Sequence, residues 1–247
     1  MLDLKVKIQK FFAYSKEEIK SLAIVILILG FIVGFNDGRI SSTVDIFYGW
    51  NMLSSLLIVA LAVLVHISVQ RIVALHAGFK LVYKVWWYGL AASLIVTFIS
   101  NGKLWFMLPG GFVALMLEKH RLGKFRYGIN YWPLGLIGFV GPLANIILAL
   151  FFRILSNISF LSTNVLIEKA IVVNLLYAVF TNLFIPPLDG FNLLFASRLT
   201  YAFSYGALLG AALLIYLRLS TLITLLGALV IGTVIWGTYY WKYEKEL

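Results

Sequence analysis

The sequence predicts an all-α polytopic membrane protein of six to seven transmembrane helices, with a small membrane-embedded strand or re-entrant element. Three observations carry that prediction. The chain has 247 residues, of which 62% are hydrophobic and only 12% charged. A soluble domain is nearer half apolar and a quarter charged. A core of this size cannot hide the surplus from water, so the surplus faces lipid. Finally, the Lys and Arg behind the formal charge of +10 sit mostly in short segments between apolar runs, where they set orientation in a membrane.

Residues 1–20 read as a basic, amphipathic cytoplasmic tail carrying Lys5, Lys7, Lys10, Lys16 and Lys20. Its apolar residues also suit an anionic membrane surface. Residues 21–247 read as one membrane domain with its core at 48–190. The first span is expected at 21–35. The loop after it holds Asp37, Arg39 and Asp45; without a positive excess it belongs outside. The second span, 48–76, returns to a basic cytoplasmic loop at Lys80 and Lys84. Two apolar pieces follow, 85–99 and 104–116, each shorter than the ~20 residues a crossing helix needs. Pro109-Gly110-Gly111 interrupts the second. Irregular backbone at membrane depth is tolerated only inside protein or along a wet cavity. A strand or hairpin is therefore expected near 104–125, followed by cytoplasmic charges from Glu118 to Arg126. Spans at 132–152 and 167–185 flank an uncharged outer loop, in which Asn157-Ile158-Ser159 fits a glycosylation sequon. The last apolar stretch, 199–241, is too long for one helix at 1.5 Å per residue and is split at Arg218. Both termini then fall in the cytoplasm.

These features exclude several classes. No basic, aromatic-interleaved face stands outside the spans, so nucleic acid is not an expected partner. There is no cysteine, which removes disulfides and thiolate ligands. Polar groups inside spans are costly and mark function. The second span offers His66, Gln70, Arg71 and His76, and Asp189 ends a later span at similar depth. A His and an Asp on neighbouring helices at matched depth share a metal or hydrogen-bond each other. Arg71 and Lys80 are expected to snorkel to the interface.

Four motifs now fall in order. His66, Ala74 and Gly78 lie on one predicted helix at spacings of eight and four. Pro109-Gly110-Gly111-Phe112-Val113 follows, then Gly141-Pro142-Leu143-Ala144-Asn145, then Pro187-Leu188-Asp189-Gly190. Together they resemble the site-2 protease family of intramembrane zinc metalloproteases, in its archaeal-like branch. The resemblance covers about residues 65–190. It implies that His66 and Asp189 are metal ligands, and that Pro109, Gly110, Gly111 and Asn145 belong to a substrate groove.

The departures fall on the chemistry. The family helix reads H-E-x-x-H, which puts two imidazoles on one face around a Zn²⁺. Here the general-base position is Ile67 and the second ligand position is Gln70. The family's Asn and Pro ahead of L-D-G are replaced by Thr181 and Phe184. A catalytic zinc normally has three protein ligands and a water, and an amide oxygen is a poor donor for it. His76 lies ~15 Å along the helix from His66 and cannot substitute. Loss of the base alone removes roughly 10²–10⁴-fold of rate. The expectation is a pseudoprotease that binds transmembrane segments or membrane partners, with lipid around it. No cofactor is expected, or zinc if the site still assembles. The alternatives are an active intramembrane zinc protease with a nonstandard base, for which Glu118 is the candidate, and a structural subunit of a membrane complex. A transporter is disfavoured by the few charges in the spans and the lack of an inverted repeat.

Overall fold

The structure, a computed structural model, describes residues 4–39, 45–117, 131–157 and 164–245. The order is α1 (Leu4–Phe11), α2 (Lys16–Gly34), α3 (Ile46–Ala77), β1 (Phe79–Val85), α4 (Trp87–Ile99), β2 (Gly110–Met116), α5 (Trp132–Ser156), α6 (Val165–Thr181), α7 (Asp189–Ala196), α8 (Arg198–Tyr216) and α9 (Thr221–Tyr239), which runs on into a π turn over Tyr240–Glu244. The protein is mostly helical, as the composition predicts.

Local chemistry sets the helix ends. Ser15 opens α2 with a reciprocal cap. Its hydroxyl accepts from the Glu18 amide at 3.2 Å, and the Glu18 carboxylate accepts from the Ser15 amide at 2.9 Å. The helix therefore begins at Lys16, ahead of the predicted 21. Asp45 caps α3 by accepting from the Tyr48 amide at 2.9 Å. At its far end α3 stops on Gly78, in a left-handed conformation. The break predicted at Arg218 falls between α8 and α9, where Ser220 caps the second helix.

β1 and β2 pair antiparallel, from Phe79 opposite Met116 to Val85 opposite Gly110. Between them α4 runs away from the sheet and ends beside α2, where the Asn36 amide donates to the Asn101 carbonyl at 2.9 Å. The chain returns through 103–109 against α4. Leu108 donates its amide to the Ser93 hydroxyl at 3.1 Å, and Trp86 donates to the Pro109 carbonyl at 3.2 Å. Met107 and Leu108 are buried. Over 107–109 the non-helical backbone is enclosed by protein, which is what an apolar surround requires.

Contacts define two ends of the bundle. At one, Lys7 of α1 donates to the Leu75 carbonyl near the end of α3, and the start of α8 meets the end of α9. At the other, Lys169 of α6 reaches Asn51 and Ser55 of α3. There too, Glu168 of α6 pairs with Arg153 of α5 at 2.9 Å and with Arg218 after α8 at 3.1 Å. One apolar cluster joins α2, α3 and α6 through Leu29, Val63 and Val173; a second joins α5, α6 and α8 through Ala149, Ile171 and Ile215.

Several expectations need correction. Among the described residues four helices are long and apolar enough to cross a membrane: α3, α5, α8 and α9 with its π turn. The predicted six to seven are not reached on that measure. α2 carries Glu17, Glu18 and Lys20 in its first turns, and α6 has only 17 residues. Residues 79–85 form a strand, where a basic loop was expected. Of the segment 104–125, the strand begins only at Gly110, and residues beyond 117 are outside the described residues, as are Glu118 and Ile158-Ser159 of the sequon. Arg71 does not snorkel; it is 1% exposed.

Candidate functional site

His66 sits in the middle of α3 and is buried, as are Asn145 of α5, Asn174 of α6 and Asp189, the first residue of α7. The His66 Nε2 atom is 2.7 Å from Asp189 Oδ2. Its Nδ1 atom is 2.7 Å from Asn145 Oδ1. The Asn145 amide nitrogen donates to the Ala62 carbonyl at 3.1 Å and to Asn174 Oδ1 at 2.9 Å. Asn174 in turn donates to the Ala170 carbonyl at 2.8 Å. Tyr177 of α6 packs edge-on to the imidazole, ring centres 5.1 Å apart.

This network places a proton on one ring nitrogen by elimination. The Asn145 nitrogen is committed to two acceptors, so Asn145 Oδ1 accepts, and His66 Nδ1 must carry a proton. The Nε2–Asp189 bond then holds one further proton, on the ring or on the carboxyl. Either way the pair is neutral overall, which is how a buried His and Asp avoid an uncompensated charge.

The other motif residues of the sequence lie around this pair. Gln70 is one turn along α3, buried, and among the described residues its amide nitrogen has no hydrogen-bond partner. Gly141 of α5 lies against both side chains. A Cβ on it would stand 2.5 Å from His66 Nε2 and 2.6 Å from Gln70 Nε2, so only glycine lets α5 approach this closely. Ile67 faces away, in the apolar cluster with Val63 and Tyr83. Tyr83 of β1 is buried, and its hydroxyl has no hydrogen-bond partner among the described residues.

As arranged, these residues do not fit a catalytic zinc. Two tetrahedral donors at ~2.0–2.2 Å from zinc stand more than about 3 Å apart, whereas His66 and Asp189 are at hydrogen-bond distance. The imidazole's other nitrogen is engaged by Asn145. Among the described residues no third His, Cys, Asp or Glu joins the pair.

The predicted groove residues divide. Asn145 is fully buried and serves His66, apart from the strand. Pro109 precedes β2 and Gly110 and Gly111 open it; Gly110 lies against the end of β1, and Gly111 lies against the turn before α7. A Cβ on Gly111 would fall 1.8 Å from the Pro187 carbonyl oxygen, so strand and turn touch through bare backbone. The Pro186–Pro187 peptide in that turn is cis.

A second polar centre was not anticipated. Arg71, on the same helix as His66, donates to the Phe12 and Ala13 carbonyls at 2.9 and 3.1 Å and to the Glu18 carboxylate. Its guanidinium lies 4.0 Å from the Tyr14 ring centre, within cation–π range. Glu18 also accepts from the Tyr83 amide at 3.2 Å. One ion pair thus ties the α1–α2 elbow, α3 and the sheet together. Two signals were available: Glu18 inside a capping pattern, and Asn174 as a polar residue amid an apolar span.

Fold and site together define a multi-pass helical membrane protein with a buried His–Asp–Asn centre. Comparison with protein-family models, with curated proteins and with solved structures finds no match in any of the three.

Proposed function

We propose that the protein is a catalytically degenerate, site-2-protease-like membrane protein that binds transmembrane segments or membrane partners without cutting them. One observation carries this reading. The two residues at ligand positions, His66 and Asp189, bond to each other at 2.7 Å, while the base position is an apolar core residue, Ile67. Hydrolysis by such a zinc centre needs a metal-bound water and a base to take its proton, and the isoleucine side chain at position 67 cannot take one. The polar centre stabilises helix packing. Binding falls to β2, whose Val113 and Leu115 are nearly half exposed, beside the Pro187–Asp189 turn. In the same reading α2, α3, α5, α6, α8 and α9 all cross the membrane, both termini are cytoplasmic, and lipid covers the exposed apolar faces. The alternation of helix starts between the two ends of the bundle supports six crossings.

The test has two arms. Zinc content is measured on the purified protein after zinc supply, beside His66→Ala and Asp189→Ala. A photo-crosslinker at Val113 reports what lies on β2 in the native membrane. The reading expects zinc well below stoichiometric and crosslinks to transmembrane segments of other proteins. Near-stoichiometric zinc lost in both variants, or cleavage of a captured segment that depends on His66, would instead support an active protease. Crosslinks confined to one permanent assembly would support a structural subunit.

A further inference from the structure

A cleft of about 490 Å³ lies where α7, the start of α8 and the end of α9 converge, lined by Leu194, Phe195, Ser197, Arg198 and Tyr239. It has no part in the reading above. Its chemistry is split. Leu194 and Phe195 give an apolar wall, and Phe195 is 65% exposed. Ser197, Arg198 and Tyr239 give polar atoms. Arg198 is exposed and, among the described residues, its guanidinium has no hydrogen-bond or ion-pair partner.

The depth of the cleft follows from the helices. α8 and α9 are both long and apolar enough to cross a membrane, and the cleft sits where one begins and the other ends. The next turn of α9 carries Tyr240, Trp241 and Tyr243, 45%, 71% and 57% exposed, with Lys242 and Lys245 among them. Exposed Trp and Tyr at a helix end mark the headgroup level, and Lys there favours anionic lipid. An exposed apolar wall beside a guanidinium without a partner among the described residues, near a helix end rich in exposed Trp and Tyr, matches an amphipathic anion. The volume is within the range of small-molecule sites. It suits a headgroup and glycerol, with acyl chains running on into the bilayer.

We propose that this cleft binds one anionic phospholipid, its phosphate hydrogen-bonded by Arg198 and its glycerol region against Leu194 and Phe195. Guanidinium is the side chain best matched to phosphate, through paired N–H donors. The full chain, reconstituted in mixed phosphatidylcholine and phosphatidylglycerol vesicles and extracted gently, is read by native mass spectrometry. Wild type retains phosphatidylglycerol in preference to phosphatidylcholine. Arg198→Ala lowers that retention roughly tenfold or more, the worth of a charged hydrogen bond. Leu194→Trp, which fills the cleft and leaves every charge in place, lowers it as well, and decides the matter if Arg198→Ala fails to fold. Lys242→Ala with Lys245→Ala has a smaller effect, and inorganic phosphate does not displace the lipid. Equal retention of the two lipids by wild type would overturn the proposal, as would full retention by Leu194→Trp. A loss in the lysine variant as large as in Arg198→Ala would make the attraction diffuse, and displacement by inorganic phosphate would make the ligand a free anion; either result overturns it.

Discussion

Replacing Arg71 by Met tests how much of the fold hangs on one buried ion pair. Arg71 and Glu18 are 1% and 2% exposed. Met keeps much of the aliphatic stem but removes the guanidinium, with its bonds to Glu18, Phe12 and Ala13. The Glu18 carboxylate would remain buried, holding only the Ser15 and Tyr83 amides. Removing one partner of a buried pair costs about 3–5 kcal/mol, because the other charge stays desolvated. Loss of the Tyr14 stack adds roughly 0.5–2 kcal/mol. Glu18→Gln strands the guanidinium instead and is expected to cost a similar amount. The double variant removes both charges, so it should lose less than the two singles together, by about 1–3 kcal/mol. Equilibrium unfolding in mixed micelles, followed by fluorescence of the Trp residues, supplies the three free energies. Single losses under about 1 kcal/mol that simply add would refute the reasoning, since that is how solvated surface pairs behave.

Three further outcomes follow from the site and its surroundings. Asn145→Leu leaves His66 Nδ1–H buried without an acceptor and should cost at least about 1–3 kcal/mol in the same unfolding assay. Gly141→Ala drives a methyl into His66 and Gln70 and should destabilise by about 1–3 kcal/mol; Gly237→Ala on α9, with open space around it, should be neutral or stabilising by up to about 1 kcal/mol. The hydrogen bonds from Arg39 hold the Asp37 and Asp45 carboxyls below the usual range, and the Tyr48 amide helps at Asp45. A depressed carboxyl contributes above its unfolded pKa of about 4 and loses that contribution as pH falls through the folded value. Hydrogen exchange at the Tyr48 amide should therefore show unchanged cap protection from neutral pH down to about 4, with loss only in stronger acid. Loss of the cap already at pH 5–6 would contradict this sign.

The sequence carried the membrane class, the helix break near Arg218 and the meeting of His66 with Asp189. Each rests on a local or strongly constrained signal: apolar runs, a lone charge in a long run, and polar groups that must find partners at depth. It did not carry β1. Phe79, Leu81 and Tyr83 are buried while Lys80, Val82 and Lys84 are less so, a period-two pattern; the lysines alone suggested a loop. Arg71 was misjudged for a related reason. A cation near a helix end usually reaches water, and what holds it inward is Glu18, a partner 53 residues away. Asn145 was assigned to the groove by its motif, but its burial and the three hydrogen bonds of its amide depend on α3 and α6 packing around α5. Long-range partners of this kind leave no trace in local spacing.

The bond between His66 and Asp189 joins residues 123 positions apart. Translation at ~5–20 residues per second separates their synthesis by roughly 6–25 s. Asn145 is made earlier, 79 positions after His66, so the amide is the first of the two partners to exist during synthesis. The carboxylate arrives with α7, after α5 and α6 have been made. The order of the chain thus makes an amide partner available to the buried imidazole first, and the carboxylate only once the surrounding helices have been made. Ribosome-bound chains ending before residue 189 should expose that interval as a distinct, less protease-resistant intermediate.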